Sequence, residues 1–412
     1  PDDNVGVTKT TLTKGRVLSD GSSSYVVAHD IPVSHKIALS DIASGQAVKK
    51  YGQTIGFATC DIAVGEHVHT HNIGMQDFTR DYAWCEDARS LPEPDAPIEF
   101  SGYARASGEV GTRNYIAVIS SVNCSASVSR YVADHFRDNR FKTEFPNVDG
   151  VVAFTHKSGC GILPDEPALL LQRVMAGIAT HPNIGGYVII GLGCEVNQVQ
   201  LLVDDPRLQS SGKSGDAPEV FTIQQVGGVR KTVDAAIASV EKLLPSVNAC
   251  ERTSQPVAKL RLALNCGGSD GNSGITCNPA LGAASDTLVR HGGSSVFGET
   301  PEIYGAEHLL TRRALTQAIG EKLIAHVHWW EEYTKRLGAT IDNNPSPGNK
   351  IGGLTTIYEK SLGAIAKAGQ APLAAVYGYA DKITEPGCDS PVFVSLRDDK
   401  LSHLACMGMV WQ

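Results

Sequence analysis

The sequence has no run of about 18 apolar residues, the length that a helix needs to cross a bilayer. Its first ten residues, PDDNVGVTKT, contain no apolar core of the kind that a secretory signal peptide carries. The ten cysteines are scattered over 412 residues and do not resemble a disulfide framework. We therefore expect a cytoplasmic protein with reduced thiols and no membrane partner.

A basic surface that would track nucleic-acid phosphates is also missing. Lysine and arginine number 36 against 44 aspartates and glutamates, which gives a formal net charge of −8. This balance argues against a nucleic-acid partner and favours small molecules or further copies of the chain. A homodimer is the default expectation for a symmetric enzyme, and an anionic substrate would require a local basic site.

Residues 1 to about 78 contain short Val, Ile and Ala runs separated by turn residues, a pattern typical of a small β-rich domain. The phrase Asp-Ile-Ala-x-Gly-x-x-Val occurs at 41–48 and again at 61–68, which predicts two related β-turn-β units. The segment EDARSLPEPDAPIEFSG follows, with three prolines and no periodicity, and is predicted to be an extended, solvated linker. The first domain with its linker therefore covers 1–92.

From about residue 103 the pattern becomes α/β. Buried strands are predicted at YIAVISSV, VDGVVAFTH and GGYVIIGLG, and later at LRLALNC and SSVFGE. Helical stretches lie between them, and a long helix is predicted within GAEHLLTRRALTQAIGEKLIAHVHWWEEYTKRLG. A break at 246–259 divides this part into domains at 93–250 and 251–412. The fold class is thus α/β, a small N-terminal β domain followed by parallel-sheet α/β domains.

Four of the predicted strands end in polar, cysteine-bearing loops. Ligands of open α/β sheets bind at the carboxyl ends of the strands, so we expect these loops to converge on one crevice. The loops are Asn123 to Cys124, His156 to Gly161, Gly191 to Gln198, and Asn265 to Ser273.

In these loops the sequence resembles the altronate/galactarate dehydratase family. The motifs that carry the resemblance are GYARASGEVGTRNYIAVISSVNCS, FTHKSGCG, GLGCEVNQ, NCGGSDGNSGITCNPALG, ETPEIYGAEHLL and NNPSPGNKIGGLTTIYEKSLG. The N-terminal SHKIALSDIASG and KYGQTIGFA resemble the small SAF-type (β-clip) domain of such enzymes, and GEHVHTHN is closer to the altronate branch. After about residue 385 the resemblance stops, which predicts a truncated or divergent C-terminal segment.

The resemblance implies a hydro-lyase that converts a sugar acid such as altronate to a 2-keto-3-deoxy acid. Galactarate or another aldarate is the alternative substrate, and the related sulfolactate sulfo-lyases share several motifs. Such a dehydration requires a base for the C2 proton, stabilisation of the enediolate, and an acid that assists loss of the C3 hydroxyl.

Thiolate and carboxylate side chains in the strand-end loops are candidate metal ligands. Two arrangements remain open, a single Fe(II) or Mn(II) held by one or two of the cysteines, or an iron–sulfur cluster among all four. The resemblance implies iron or a similar divalent metal, and we favour the mononuclear ion. The ligands predicted in these loops are Cys124, Cys160, Cys194, Glu195 and Cys266.

The phrase HVHTHN adds histidines from the small domain. In a strand, His67, His69 and His71 would share one face, about 7 Å apart. We predict that His69 and His71 are metal ligands, and a solvated strand face is the alternative. His35 and Lys36 fall in a motif of the family's small domain, which implies that they bind or deprotonate substrate, Lys36 meeting its carboxylate.

His156 in THKSGCG is the third catalytic candidate, and a loop histidine bonded to the backbone is the alternative for it. Two further loops are predicted to bind substrate, because NCGGSDG lets backbone N–H groups approach a carboxylate and NNPSPGNK is a rigid polar loop with a cation. Their alternatives are a tight turn and a helix cap. The predicted substrate-binding residues are Ser269, Asp270, Asn344, Ser346, Asn349 and Lys350.

Two rival classes were weighed against an enzyme of this kind. A non-catalytic sugar-acid-binding protein would share the small domain, and turnover separates it from a dehydratase. A nucleotide-dependent oxidoreductase is disfavoured because no G-x-G-x-x-G fingerprint follows a strand. His326 and His328 lie in an amphipathic helical segment beside two tryptophans and are predicted to be structural.

Overall fold

The computed structural model describes residues 2–19, 24–78, 80–94, 96–138, 140–209, 218–378 and 380–383, and the backbone of 392–394. The segment after residue 385, where the divergent C-terminus is predicted, otherwise lies outside the described residues. The chain forms two compact units, one mainly of 1–93 with 264–376 and the other mainly of 94–263. Within the described ranges, no helix combines the length and the apolar character that a membrane crossing needs.

The N-terminal segment of the first unit is a small all-β module, as the sequence predicts. Its strands form two three-stranded sheets, β1-β4-β7 and β5-β6-β8, and a β2-β3 hairpin. All their pairings are antiparallel. The strands are β1 (Val5–Val7), β2 (Val17–Ser19), β3 (Ser24–Val26), β4 (Lys36–Ala38), β5 (Ala47–Lys50), β6 (Gln53–Ala58), β7 (His67–Val68) and β8 (Ile73–Gly74).

The two repeated phrases of this module lie against each other. Ile42 and Ile62 form an antiparallel bridge, and each is only 1% exposed. Asp41 accepts a 2.8 Å hydrogen bond from a backbone N–H of the second phrase, and Asp61 accepts one of 2.8 Å from the first. The repeat is therefore a pair of mutually capped turns around a shared core.

The second unit contains the predicted parallel sheet. Its strands are β9 (Glu99–Ala104), β10 (Val110–Gly111), β11 (Tyr115–Ser120), β12 (Gly150–Phe154), β13 (Ile184–Gly191), β14 (Glu219–Thr222), β15 (Arg252–Pro256) and, at its boundary, β16 (Arg261–Leu264). Its helices are α1 (Ala126–His135), α2 (Glu166–Thr180), α3 (Val199–Val203), α4 (Pro206–Gln209), α5 (Ile223–Val226) and α6 (Val229–Asn248).

The parallel sheet has the strand order β12-β11-β13-β14. The predicted strands YIAVISSV, VDGVVAFTH and GGYVIIGLG are β11, β12 and β13, and a continuous apolar run suits β11 because it is buried on both faces. Val118 on one face packs with α1 and α6, and Ile119 on the other packs with α2. After β12 the chain crosses over β11 to β13, so the direction of the strand order reverses between β11 and β13. In sheets of this kind a ligand crevice is expected between the loops that follow these two strands.

The remainder of the first unit carries a second sheet, in the order β16-β17-β19-β18, with β17 parallel to β19. Its elements are α7 (Cys277–Arg290), β17 (Ser294–Phe297), α8 (His308–Thr311), α9 (Gln317–Arg336), α10 (Pro347–Ile351), α11 (Ile357–Ile365), β18 (Ala375–Tyr377) and β19 (Val392–Val394). Helix α11 is buried along its whole length, including its charged residues.

The long helix predicted within 305–338 is α9, but it does not extend over the whole segment, because the chain breaks between α8 and α9. Ala314 forms a β-bridge with Leu373, and the N–H of Leu315 donates to the carbonyl of Leu373 at 3.0 Å. Thr316 then starts α9 as its N-cap. A tertiary backbone pairing thus interrupts a segment whose local pattern is helical throughout.

In the described residues of the predicted linker, 86–94 and 96–98, there is no helix or strand before β9, and most of these residues are exposed. The linker is nevertheless attached to the first unit at two arginines. Arg312 forms ion pairs with Asp81, Glu86 and Asp87, and Arg290 donates to backbone carbonyls at 92 and 93. The chain leaving the β module is therefore held along the unit by several contacts.

Candidate functional site

Three histidines of the β module form the one group of potential metal ligands found among the described residues. One ring nitrogen from each of His35, His67 and His69 lies within 4.8 Å of the other two. The Nδ1 atom of His35 is 3.0 Å from Nε2 of His67. Three imidazoles at this separation suit a transition-metal ion and leave coordination positions for a substrate.

The pairing of two strands brings these histidines together. In the antiparallel β4–β7 pair, Ile37 lies opposite His67, which places His35 beside the same ladder. The predicted strand across HVHTHN is wrong, because β7 ends at Val68. A turn follows, in which Oδ1 of Asn72 accepts the His69 N–H at 2.9 Å.

Because of this turn, the histidines that lie together differ from the predicted ligands His69 and His71. His71 is exposed and lies outside the group, although its ring centroid is 5.3 Å from that of His67. His35, which the sequence analysis treats as catalytic, takes its place among the candidate ligands. His67 belongs to the same group.

Hydrogen bonds and burial suit the histidine group to a cation. His35 Nε2 contacts the carbonyl of Ile351 at 2.9 Å, the contact that commonly orients a metal-binding imidazole. Among the described residues, the buried His69 Nδ1 has no hydrogen-bond partner. Burial, followed by the charge of His35, lowers the pKa of His67 to about 4 and of His69 to about 3. Neutral imidazoles are the form that binds a metal.

A buried charge cluster lies next to His35 in the chain. Lys36 Nζ is 2.8 Å and 3.0 Å from the two Glu359 oxygens and 2.7 Å from the Gly353 carbonyl. Lys50 Nζ is 2.9 Å from Oε1 of Glu359. Burial by itself would raise the pKa of the Glu359 carboxyl, but the charges of Lys36 and Lys50 lower it to about 2.

This cluster argues against the predicted contact between Lys36 and a substrate carboxylate. The Lys36 side chain is fully buried, and its ammonium has three oxygen neighbours, as many as it has N–H donors. Lys36 therefore ties β4 to α11. Neither Lys50 nor Glu359 was singled out from the sequence, because their pairing joins residues 309 positions apart.

A small open cavity, with about 10 Å³ of internal free volume, lies beside this cluster. Its walls include Lys50, Tyr51, Ser269, Asp270, Gly274 and Glu359. The predicted substrate loop NCGGSDG thus borders a cavity. Asp270 mainly closes the turn, because its Oδ1 accepts from the backbone and hydroxyl of Ser273.

The second predicted substrate loop caps the short helix α10 and not the helix TTIYEKSLGAIAKAG of its alternative, whose N-cap is Thr356. Ser346 and Asn349 form a reciprocal capping box at the start of α10, and Asn349 also donates to the Ser269 carbonyl at 2.8 Å. Asn344 precedes this turn and Lys350 lies within α10. These four residues remain predictions as substrate contacts.

A pair of glutamates follows β17. Glu302 binds Lys360 at 2.8 Å and Lys367 at 3.3 Å, whereas Glu299 accepts the Cys266 N–H at 3.0 Å. Burial and the neighbouring Glu302 raise the pKa of Glu299 to about 7.

Replacing Glu299 with glutamine is expected to raise thermal stability at pH 8 and to change it little at pH 4.5. Because the pKa of Glu299 is raised in the folded state, its contribution to the free energy of unfolding is complete below pH 4.5 and is lost as the pH rises through about 7. Calorimetry at both pH values measures the effect, with the exposed Glu321→Gln as control. A Glu299→Gln gain that is equal at both pH values contradicts the prediction.

In the second unit, the loops after β11, β12 and β13 contact one another. The Asn123 N–H donates to the Ser158 carbonyl at 3.0 Å, and the Val196 N–H donates to the Cys160 carbonyl at 2.9 Å. The cysteines carried by these three loops are exposed. The loop with Cys266 follows β16, a strand of a different sheet, and the convergence of all four loops on one crevice stays a prediction.

Two predicted functional residues of these loops are engaged by their own surroundings. Both ring nitrogens of His156 have partners, the Ser120 carbonyl at 3.1 Å and the Ser158 N–H at 3.2 Å. Glu195 is 2% exposed and accepts from the Ser121 hydroxyl and from two backbone N–H groups. The backbone-bonded alternative therefore describes His156, and Glu195 serves as a loop anchor.

Comparison with known proteins agrees with this architecture. Residues 1–76 match the SAF domain model of altronate/galactarate dehydratases. Residues 102–248 match the second domain of D-galactarate dehydratase/altronate hydrolase, and 257–396 match the C-terminal D-galactarate/altronate dehydratase domain. The last match extends beyond residue 385, where the sequence analysis places the end of the resemblance.

Curated relatives align along most of the chain. Altronate dehydratase of Escherichia coli is 37% identical over 93% of this chain and 76% of the relative. Altronate dehydratase of Bacillus subtilis is 33% identical over the same shares. Galactarate dehydratase (L-threo-forming) of E. coli is 35% identical over 91% of this chain and 72% of the relative.

The SAF-type module and the matched α/β domains define a protein of the sugar-acid dehydratase class, a group of hydro-lyases. The chain belongs to the altronate/galactarate dehydratase family and is closer to its altronate branch.

Proposed function

We propose that this chain removes water from a sugar acid of the altronate type and releases a 2-keto-3-deoxy acid, using a divalent ion bound by His35, His67 and His69. The observation that carries the proposal is the buried His69 Nδ1, which has no hydrogen-bond partner in the described part of the chain and lies beside two other imidazoles. A buried polar atom without a partner is destabilising unless a ligand satisfies it.

The residues present suit Fe(II) or Mn(II), as expected from the resemblance, because imidazole ligands bind iron and related ions. When bound, such an ion supplies a Lewis acid that stabilises negative charge on substrate oxygens. The His35–Ile351 contact orients one ligand, and the lowered pKa values keep His67 and His69 available as neutral ligands.

We propose that the polyhydroxy chain binds over the mouth of the small cavity beside Glu359. The cavity is connected to the histidine group through residues 34–36, since Asn272 of the cavity loop donates to the Ser34 hydroxyl at 2.6 Å. Lys50 and Lys360 both line the cavity and provide positive charge for an acidic substrate. This is the local basic site that an overall acidic chain requires.

Turnover with a defined metal tests this function. The chain is stripped with a chelator, reloaded anaerobically with Fe(II), Mn(II) or Zn(II), and assayed with altronate, galactarate and sulfolactate for release of a 2-keto acid. We expect altronate turnover that chelation abolishes and Fe(II) or Mn(II) restores. Binding of these acids without product under every metal would support the rival sugar-acid-binding protein instead.

The composition supports two further proposals, on the oligomeric state and on the location in the cell, and each can be measured separately. We propose a homodimer, which light scattering of the purified chain measures directly. We also propose a cytoplasmic location, which fractionation of the producing cells measures.

A further inference from the structure

Tyr51 has an unusual conformation for its residue type. It forms with Gly52 the two-residue turn between β5 and β6, where Lys50 pairs with Gln53. The φ angles of Tyr51 and Gly52 are 60° and 70°, both left-handed. Turns of this kind strongly favour Asn, Asp or Gly, because a bulky side chain is strained at positive φ. Strained residues of this sort concentrate at functional sites.

The backbone of the turn does not depend on the tyrosine side chain. The carboxylate of Asp3 accepts the Tyr51 N–H at 2.9 Å and the Gly52 N–H at 2.6 Å. These two bonds hold the turn whichever residue occupies position 51. An asparagine would satisfy the same geometry with less strain, so fold stability alone gives no reason for a tyrosine.

The side chain of Tyr51 faces the cavity instead of the core. Its hydroxyl lies beside Gly274, where an added Cβ would approach it to 3.2 Å. Lys50 Nζ is 4.8 Å from the centre of its ring, and the residue remains 42% exposed. Burial raises the pKa of Tyr51, and a phenol carries its proton near neutral pH even at the ordinary value of about 10.

The cavity is small and is lined by one phenol, two serine hydroxyls, two lysine side chains and two carboxylates. Hydroxyl donors and acceptors beside a cation are the chemistry that recognises a short polyhydroxy acid. We propose that Tyr51 is a substrate-contacting residue that hydrogen-bonds a hydroxyl of the sugar acid bound over this cavity. This inference rests on the proposed function, because it takes the sugar acid as the ligand.

Two substitutions separate substrate contact from a structural role. Tyr51→Phe removes only the hydroxyl, and we expect KM for altronate to rise about tenfold, the size of one neutral hydrogen bond, with kcat and melting temperature nearly unchanged. Tyr51→Asn relieves the strained turn and removes the ring. We expect it to raise the melting temperature by a few degrees while raising KM at least as much as Tyr51→Phe does.

Tyr103→Phe is the matched control, because the Tyr103 hydroxyl bonds the Asn147 carbonyl in the other unit and is outside the cavity. Wild-type KM in Tyr51→Phe overturns the inference while leaving altronate turnover, and so the proposed function, intact. If the wild type gives no product, calorimetric binding of altronate replaces KM as the readout. Weaker binding by Tyr51→Phe then supports the contact, and unchanged or absent binding overturns it.

Discussion

Replacing His67 with asparagine is expected to release the divalent ion and to lower kcat/KM for altronate by about a thousandfold. A Lewis acid stabilises transition-state charge by several kcal/mol, and each 1.36 kcal/mol corresponds to about a tenfold change in rate. His67 is one of the three members of the group, and its Nε2 atom is 3.0 Å from Nδ1 of His35. Its loss therefore leaves two imidazoles, too few to retain the ion.

The measurement is metal content per chain after anaerobic loading, together with steady-state kinetics. His71→Asn is the matched control, because His71 has the same side chain in the same loop but lies outside the group. We expect it to retain the metal and most of the activity. Full metal content in His67→Asn would place the ion elsewhere, and the exposed cysteines of the second unit would then be tested by Cys160→Ser.

Glu359→Gln is expected to lower the free energy of unfolding by about 3–5 kcal/mol, the usual effect of removing one partner from a buried ion pair. Glu359 is 1% exposed and balances Lys36 and Lys50, which are 0% and 4% exposed in their side chains. The glutamine keeps the size of the side chain but leaves two buried ammonium groups without a counter-charge. Urea denaturation monitored by tryptophan fluorescence measures the change.

The pH dependence of this effect gives a second measurement. The two lysines lower the pKa of Glu359 to about 2. The contribution of this carboxylate to the free energy of unfolding is therefore complete above pH 4.5 and is lost as the pH falls towards 2. The difference between wild type and Glu359→Gln should therefore shrink across that interval. Glu332→Gln, which breaks an exposed pair with Lys335, should show no measurable loss, and an equal loss in both variants would contradict the role of burial.

Patterns that are local in sequence predict much of this fold. The apolar runs of β11, β12 and β13 are recognisable because a strand covered on both faces has no polar alternation. The small β domain, the division near residue 92 and the family were accessible in the same way, from short turn-bounded runs and motifs in a fixed order. The alternating histidines of HVHTHN predict His69 and His71 as ligands, and of these two only His69 belongs to the group that the structure brings together.

The composition of the site itself depends on contacts between residues far apart in the chain. Only the β4–β7 pairing brings His35 to His67, and only the packing of α11 against the β module joins Glu359 to Lys36 and Lys50. The same cause explains the errors. The turn after Val68 removes His71 from the ligand group, because strand ends are set by tertiary partners. Sequence thus determined which chemical groups and which elements this protein has, whereas tertiary packing decided which groups meet, because burial and strand register are properties of the assembled chain.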